Sequence, residues 1–354
     1  MNTTRHAWRA IGIGSLFVAA TACTTATGQA PATLAIKDIG SMHVGGRNVT
    51  VSGAALPEAA RATAGRGSAT YDPNGDYEAG QMYVQYVRLA SPRAKYPLLL
   101  IHGGGLTGVT WETKPDGEPG WQMFFLKAGH DVYIGDAMER GRATWARYPE
   151  IYKTEPTTVI KKIAWETFRI GPLGSYQTDP AARTALPGVL FPTAHFDQFA
   201  KQMVPMWGSN GPGIQAAYDA LVQKICPCVA IVHSQGGNFG FTAARNAPDK
   251  FKALVAIEPS GSPDPARVDL TPLKSVPHLV VWGDYLEGYE RWQEIEKNVG
   301  KYEEALRRQG GVADRVDLPK AGIKGNSHML MMDRNSDRVA ALVQTWFEKQ
   351  GLMK

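Results

Sequence analysis

Five short runs, at 96–101, 131–134, 229–232, 253–257 and 277–282, are dominated by apolar residues without polar alternation and are bounded by Gly, Pro or Asp. A strand with one wet face alternates, so runs that do not alternate belong inside a sheet covered on both faces, the habit of parallel sheets. Helical stretches lie between them. Residues 288–309 put Tyr289, Trp292, Ile295, Tyr302 and Leu306 near one face and end at Gly310 and Gly311. Residues 335–349 turn Val339, Leu342, Val343, Trp346 and Phe347 toward a core, and 315–318 is the candidate last strand. Strands alternating with helices imply right-handed crossovers and an α/β fold: a mostly parallel, doubly wound, twisted sheet with helices on both faces.

A chain of 354 residues suits one large α/β domain with insertions, or two domains. Two β-rich segments, 36–52 and 81–90, precede the first buried run, and the second alternates like a strand with a wet face. Residues 142–210 break the rhythm, holding Trp145, Trp165, Phe168, Phe191, Phe196, Phe199 and Trp207 but no clean buried strand. Pockets in such sheets form beyond the carboxyl ends of the strands, so an aromatic-rich insertion reads as a cap or lid over a site. A peripheral subdomain with its own small core is the blander reading. The core is then 36–141 together with 211–354.

Arg5, His6 and Arg9, a short apolar run at 10–20 and small residues up to Cys23 follow the order of a secretory signal over residues 1–22. The run is too short to span a membrane. Ala20, Thr21, Ala22 and Cys23 loosely match a lipoprotein signal, so lipidation of Cys23 as a membrane tether and ordinary cleavage nearby both stay open. Residues 23–35 read as a flexible tether. The expected location is outside the cytoplasm, as a periplasmic or outer-membrane lipoprotein of a bacterium. Lys and Arg number 38 against 33 Asp and Glu, but they are scattered, which gives no support to nucleic-acid binding. Three cysteines cannot build a disulfide framework. Cys226 and Cys228 lack a second ligand pair for a metal and read as structural cysteines leading into a buried strand.

Three places carry chemistry, each just after an expected buried strand. His102 with Gly103, Gly104 and Gly105 has the form of an oxyanion-hole loop, in which bare backbone N–H groups approach a ligand. His233, Ser234, Gln235, Gly236 and Gly237 have the form of a strand-to-helix elbow that presents a serine hydroxyl. The usual glycine two residues before the serine is here Val232, so the motif is intact on one side only. His328 stands just before the last helix, where serine, acid, histidine order requires the base. Two carboxylates are candidates for the acid, Glu258 after 253–257 and Asp284 after 277–282, and either could orient an imidazole.

These residues, with the stretch Trp111, Glu112, Thr113, Lys114, Pro115, Asp116, Gly117 and the segment 325–333, resemble the bacterial esterase 713-like group of α/β-hydrolases over most of 80–350. In that group the acid is a glutamate on the strand before the customary one, which matches Glu258 and leaves Asp284 as the alternative. Some members carry adjacent cysteines where this chain has Gly104 and Gly105, so the loop must be held by something other than a disulfide. The resemblance implies a serine hydrolase with catalytic Ser234, His328 and Glu258, and Gln235 and Gly104 as oxyanion donors. Relatives such as haloalkane dehalogenases and epoxide hydrolases use an aspartate where Ser234 stands.

The expected partner is a small ester or acyl substrate. The same triad would serve an amide, a lactone or a polymer ester, and a tethered binding protein without turnover is the reading from another class. No cofactor and no metal is called for, and the sequence leaves room for a homo-oligomer. His102 reads as a brace for its loop, Asp136, Arg140 and Arg142 as stabilisers of theirs, and His195, His233 and His278 lack metal-ligand spacing.

Overall fold

The structure, a computed structural model, describes residues 33–55 and 72–354. The expected signal peptide, Cys23 and the tether up to residue 32 lie outside the described residues.

Each apolar run becomes a strand. β1 (Ile36–Val51) and β2 (Gly75–Leu89) are followed by β3 (Leu98–Ile101), β4 (Val132–Asp136), β5 (Cys228–His233), β6 (Phe251–Ile257), β7 (His278–Trp282) and β8 (Ala313–Asp317). They form one eight-stranded sheet in the order β1-β2-β4-β3-β5-β6-β7-β8. From β4 to β8 all neighbours are parallel, and β2 alone runs against the others. β2 begins earlier than the alternating pattern at 81–90 suggests. Its first half carries polar residues that pair with the far half of β1 as a two-stranded ribbon beyond β4.

The helices are α1 (Val109–Glu112), α2 (Trp121–Ala128), α3 (Lys161–Thr167), α4 (Phe196–Ala200), α5 (Gly211–Ile225), α6 (Gln235–Asn246), α7 (Glu290–Arg308) and α8 (Ser336–Lys349). Successive strand residues point to opposite faces, which splits each apolar run between two cores. Leu99, Ile101, Ala230, Val232, Leu254, Val280 and Trp282 pack with Leu221 of α5, Phe241 of α6 and Tyr302 of α7. Leu98, Leu100, Val229, Ile231, Val255, Ile257 and Val281 pack with Trp121 and Phe125 of α2 and Val343 and Phe347 of α8. Helices therefore cover both faces, as the absence of alternation requires.

Residues 142–210 hold α3, α4, several 3-10 turns and one β-bridge, Thr157 with Met206. Their aromatic side chains do not form a separate core. Trp165, Phe191, Phe196 and Phe199 join the cluster of α2 and α8, and Trp207 joins the opposite one.

Cys226 and Cys228 are buried and lead into β5, as structural cysteines would, and they are joined by a disulfide. Cys226 follows α5 and Cys228 opens β5, so the single-residue turn at Pro227 brings their Cα atoms to 4.4 Å, within reach of an S–S bond.

Candidate active site

β5, β6 and β7 lie side by side and end at one rim, and the residue after β5 or β6 is forced into a sharp turn. Ser234 has φ 51° and ψ −120°, a left-handed conformation unusual for a residue with a side chain. Its surroundings hold it there. The Ser234 N–H donates to Ile257 O (3.1 Å), and its carbonyl accepts from Gly237 N (2.9 Å) and Ser260 N (3.0 Å). At Gly236 a Cβ would lie 2.6 Å from His102 O, so glycine is required on that side of the elbow. On the other side Val232 replaces the customary glycine, and the space is made by Gly240 on α6, where a Cβ would stand 2.6 Å from Val232 Cγ1.

Glu258, directly after β6, is also left-handed, with φ 47°. Its side chain is wholly buried, and Oε2 accepts from His328 Nδ1 at 3.0 Å. Oε1 accepts from Arg169 Nη2 at 2.6 Å and from the Gly283 amide. Asp284, one residue farther along the β7 loop, does not reach the imidazole: its carboxylate accepts from Tyr285 N (2.8 Å) and Gly325 N (2.9 Å). Of the two candidate acids, Glu258 meets His328, and Asp284 holds the loop that carries it.

His328 is fixed by its main chain and its ring. Its N–H donates to Phe168 O (2.8 Å), and its carbonyl accepts from His233 Nε2 (3.0 Å). The ring lies 4.3 Å from Trp292, 4.6 Å from His233 and 5.2 Å from Phe168, centroid to centroid. Asp333 ties the preceding residues, accepting from Ser327 N and Asn326 Nδ2 (2.9 Å each) and from Ser327 Oγ (2.7 Å). His328 Nε2 is buried and has no hydrogen-bond partner, so no bond joins it to the half-buried Ser234 hydroxyl.

The glycine loop lies against the elbow. A Cβ on Gly103 would come within 2.8 Å of His233 Nδ1 and 3.0 Å of Ser234 Cβ, and one on Gly104 within 2.9 Å of Gln235 Oε1. No acceptor among the described residues takes the N–H of Gly104 or Gln235. Without paired cysteines the loop is braced by His102, which donates from Nδ1 to Gly103 O (2.8 Å) and accepts at Nε2 from Ala137 N (3.0 Å). Its far end is tied by Asp136, which accepts from Gly108 N (2.7 Å) and from Arg142 Nε (2.8 Å).

Burial by itself would raise the Glu258 carboxyl, but the Arg169 guanidinium and the His328 hydrogen bond outweigh it and hold the pKa at about 2. Burial pushes His328 below the usual imidazole value, against the pull of Glu258, and pushes His233 far lower. At neutral pH the site therefore holds an ionised carboxylate, a neutral imidazole with its proton on Nδ1, and a free Nε2 lone pair. That arrangement can accept a proton from a hydroxyl and stabilise the cation that results.

Arg169 escaped the sequence reading. An arginine set between Phe168 and Ile170, in a segment rich in aromatic residues, is the signal that could have found it, because a buried charge needs a partner. Arg140 is also buried, with its Nη2 3.3 Å from Glu139 Oε1, and His195 lies within the 142–210 segment. Among the described residues no group of His, Cys, Asp and Glu could hold a metal ion.

No protein-family model matches the chain. It is 30% identical over 331 residues, 78% of this chain and 88% of the relative, to a fungal protein named "Probable secreted lipase phiG". A solved structure described as that of a novel bacterial esterase is 34% identical, with a TM-score of 0.77, and the match covers 90% of this chain and 98% of that one.

Proposed function

The chain belongs to the α/β-hydrolase superfamily and is a carboxylic ester hydrolase, and we propose that it acts through Ser234, His328 and Glu258 by way of an acyl-enzyme. Ser234 Oγ attacks the ester carbonyl while His328 Nε2 takes its proton. Glu258 holds the imidazole in the Nδ1–H tautomer and stabilises the imidazolium. The N–H groups of Gln235 and Gly104 meet the oxyanion as the carbonyl carbon becomes tetrahedral. His328 then returns the proton to the leaving alcohol, and a water activated at Nε2 releases the acid from Ser234.

The observation that carries this reading is the 3.0 Å contact of His328 with Glu258, which leaves the imidazole Nε2 without a hydrogen-bond partner, together with the strained Ser234 after the neighbouring strand. Residues 142–210 act as the cap, supplying Phe168 and Arg169 around the base and acid. The substrate is a small ester. Export is supported by the signal-like order of residues 1–22 and by the secreted relative.

A fluorophosphonate probe should label Ser234 rapidly, and Ser234→Ala should abolish both labelling and turnover of p-nitrophenyl esters. An unlabelled Ser234 would leave the binding-protein reading standing. A panel of esters of rising chain length, run beside amides and lactones, ranks the acyl bonds the site accepts.

A further inference from the structure

We propose that Arg169 is a positioning residue for the reaction: carried to the sheet's rim by residues 142–210, its guanidinium fixes the Glu258 carboxylate and through it the imidazole of His328. The inference rests on the triad reading above and deepens it.

A carboxylate that accepts from the base through one oxygen can still swing unless the other oxygen is held. Here the other oxygen, Oε1, takes Arg169 Nη2 at 2.6 Å as well as the Gly283 amide. The guanidinium is itself locked, since Nε donates to Asp284 O (2.8 Å) and the group lies 5.2 Å from the Trp292 ring. Its backbone is left-handed, with φ 57°, and the N–H donates to Glu166 O at 3.2 Å. α7 clamps the segment from outside, with Trp292 Nε1 donating to Thr167 O (2.8 Å) and Tyr289 OH to Gly171 O (2.9 Å). The residue just before, Phe168, accepts the His328 N–H. Two consecutive residues of one segment thus hold the acid by its side chain and the base by its main chain.

Both Arg169 and Glu258 are wholly buried. Removing the cation leaves a carboxylate with no opposite charge to offset its lost hydration, which favours protonation. The other groups facing the pair by charge or contact are His233 at the end of β5, Arg291 and Tyr289 at the start of α7, Asp284 after β7 and Asp333 beyond His328. Arg291 acts by charge on His328, whereas Glu258 is lowered by Arg169 and His328, so Arg291 does not stand in for the counter-charge that Glu258 loses. Losing Arg169 raises the proton affinity of the coupled Glu258 and His328 pair whichever of the two takes the proton.

The test is the pH profile of kcat/KM for a p-nitrophenyl ester, with Ser234 labelling as the second readout. In Arg169→Met, kcat near neutrality should fall about a hundredfold, the scale of a misplaced catalytic group. The acid limb should move to higher pH by about one to three units, as expected when an opposite charge leaves a carboxylate, and part of the rate should return at alkaline pH. Adding Arg169→Met to Glu258→Gln should cost nothing further, because no charge remains to be held. Arg169→Lys keeps the charge and loses the forked donor, so it should lower kcat with KM and the acid limb unchanged. An unmoved limb in Arg169→Met, or full additivity with Glu258→Gln, overturns the proposal. If Arg169→Met does not fold, a wild-type kcat in Arg169→Lys overturns it. A wild-type Ser234 that never labels is a different failure, one that removes the triad reading itself.

Discussion

Glu258 Oε2 and His328 Nδ1 lie 3.0 Å apart, both side chains out of contact with solvent, while Asp284 spends its carboxylate on the amides of Tyr285 and Gly325. Glu258→Gln should lower kcat about ten-thousandfold, the cost of losing the correct histidine tautomer. Asp284→Asn should act mainly on the loop, lowering thermal stability and leaving kcat within about tenfold, since it loses charge but keeps an acceptor. Steady-state kinetics on the two purified variants checks the ranking, and the reverse order would move the acid to Asp284.

Gly240 and Val232 form a second testable pair, because the helix glycine makes room for the valine in the elbow. Gly240→Ala gains helix propensity worth about 1 kcal/mol but forces a methyl against Val232 Cγ1, at an overpacking cost of about 1–3 kcal/mol. The net effect should be a loss in the native background and a gain when Val232→Ala is already present. Chemical denaturation of the four proteins in the cycle reads this change of sign, and a gain in both backgrounds would refute it.

His102 bridges the glycine loop to the end of β4 through Gly103 O and Ala137 N. His102→Leu should leave both groups unpaired and let the loop drift, reducing kcat by up to about a hundredfold, less than the loss of the serine. Because its own pKa is held down to about 4 by burial, His102 should contribute no titration of its own to the rate above pH 5. A new limb in the wild-type profile that vanishes in His102→Leu would show that it exchanges protons during turnover.

Five buried histidines, His102, His130, His233, His278 and His328, are held below the usual imidazole value first of all by desolvation. Unfolding exposes them to protonation, so the unfolded chain binds more protons as pH falls from about 6.5 toward the folded values near 4, and stability should drop through that window. Asp333 and Glu303, each raised to about 7 by burial, work the other way between about 4 and 7 but are outnumbered. Glu258 adds a further loss only below its unfolded value, as pH approaches 2. Melting temperature measured from pH 7 to pH 4 should therefore decline, and His278→Asn should flatten the slope.

Much of this architecture was legible because buried strands leave a compositional trace that survives without coordinates. The runs at 229–232 and 253–257 fix where β5 and β6 end, and hence that the residues after them, Ser234 and Glu258, share a rim. Arg169 was not legible, since it lies in a segment of short helices and turns where no periodicity says which side chain faces inward. Nor could spacing along the chain show that Gly240, eight residues beyond Val232, supplies the missing room. That contact exists only once α6 has folded back onto β5. The structural role of the cysteine pair was legible but their bond was not, because two thiols one residue apart span a disulfide only if the chain bends between them.

The bond between Cys226 and Cys228 closes a loop too short to restrict the unfolded chain by much, so its worth lies elsewhere. Such links persist in oxidising surroundings and are kept open by the reducing chemistry of the cytosol. It therefore works as a travel stamp: molecules held back inside the cell would present two alkylatable thiols at the foot of β5, and molecules that had crossed the membrane would present none there. Counting those thiols in each cell fraction would trace the protein's itinerary without any reference to what it hydrolyses.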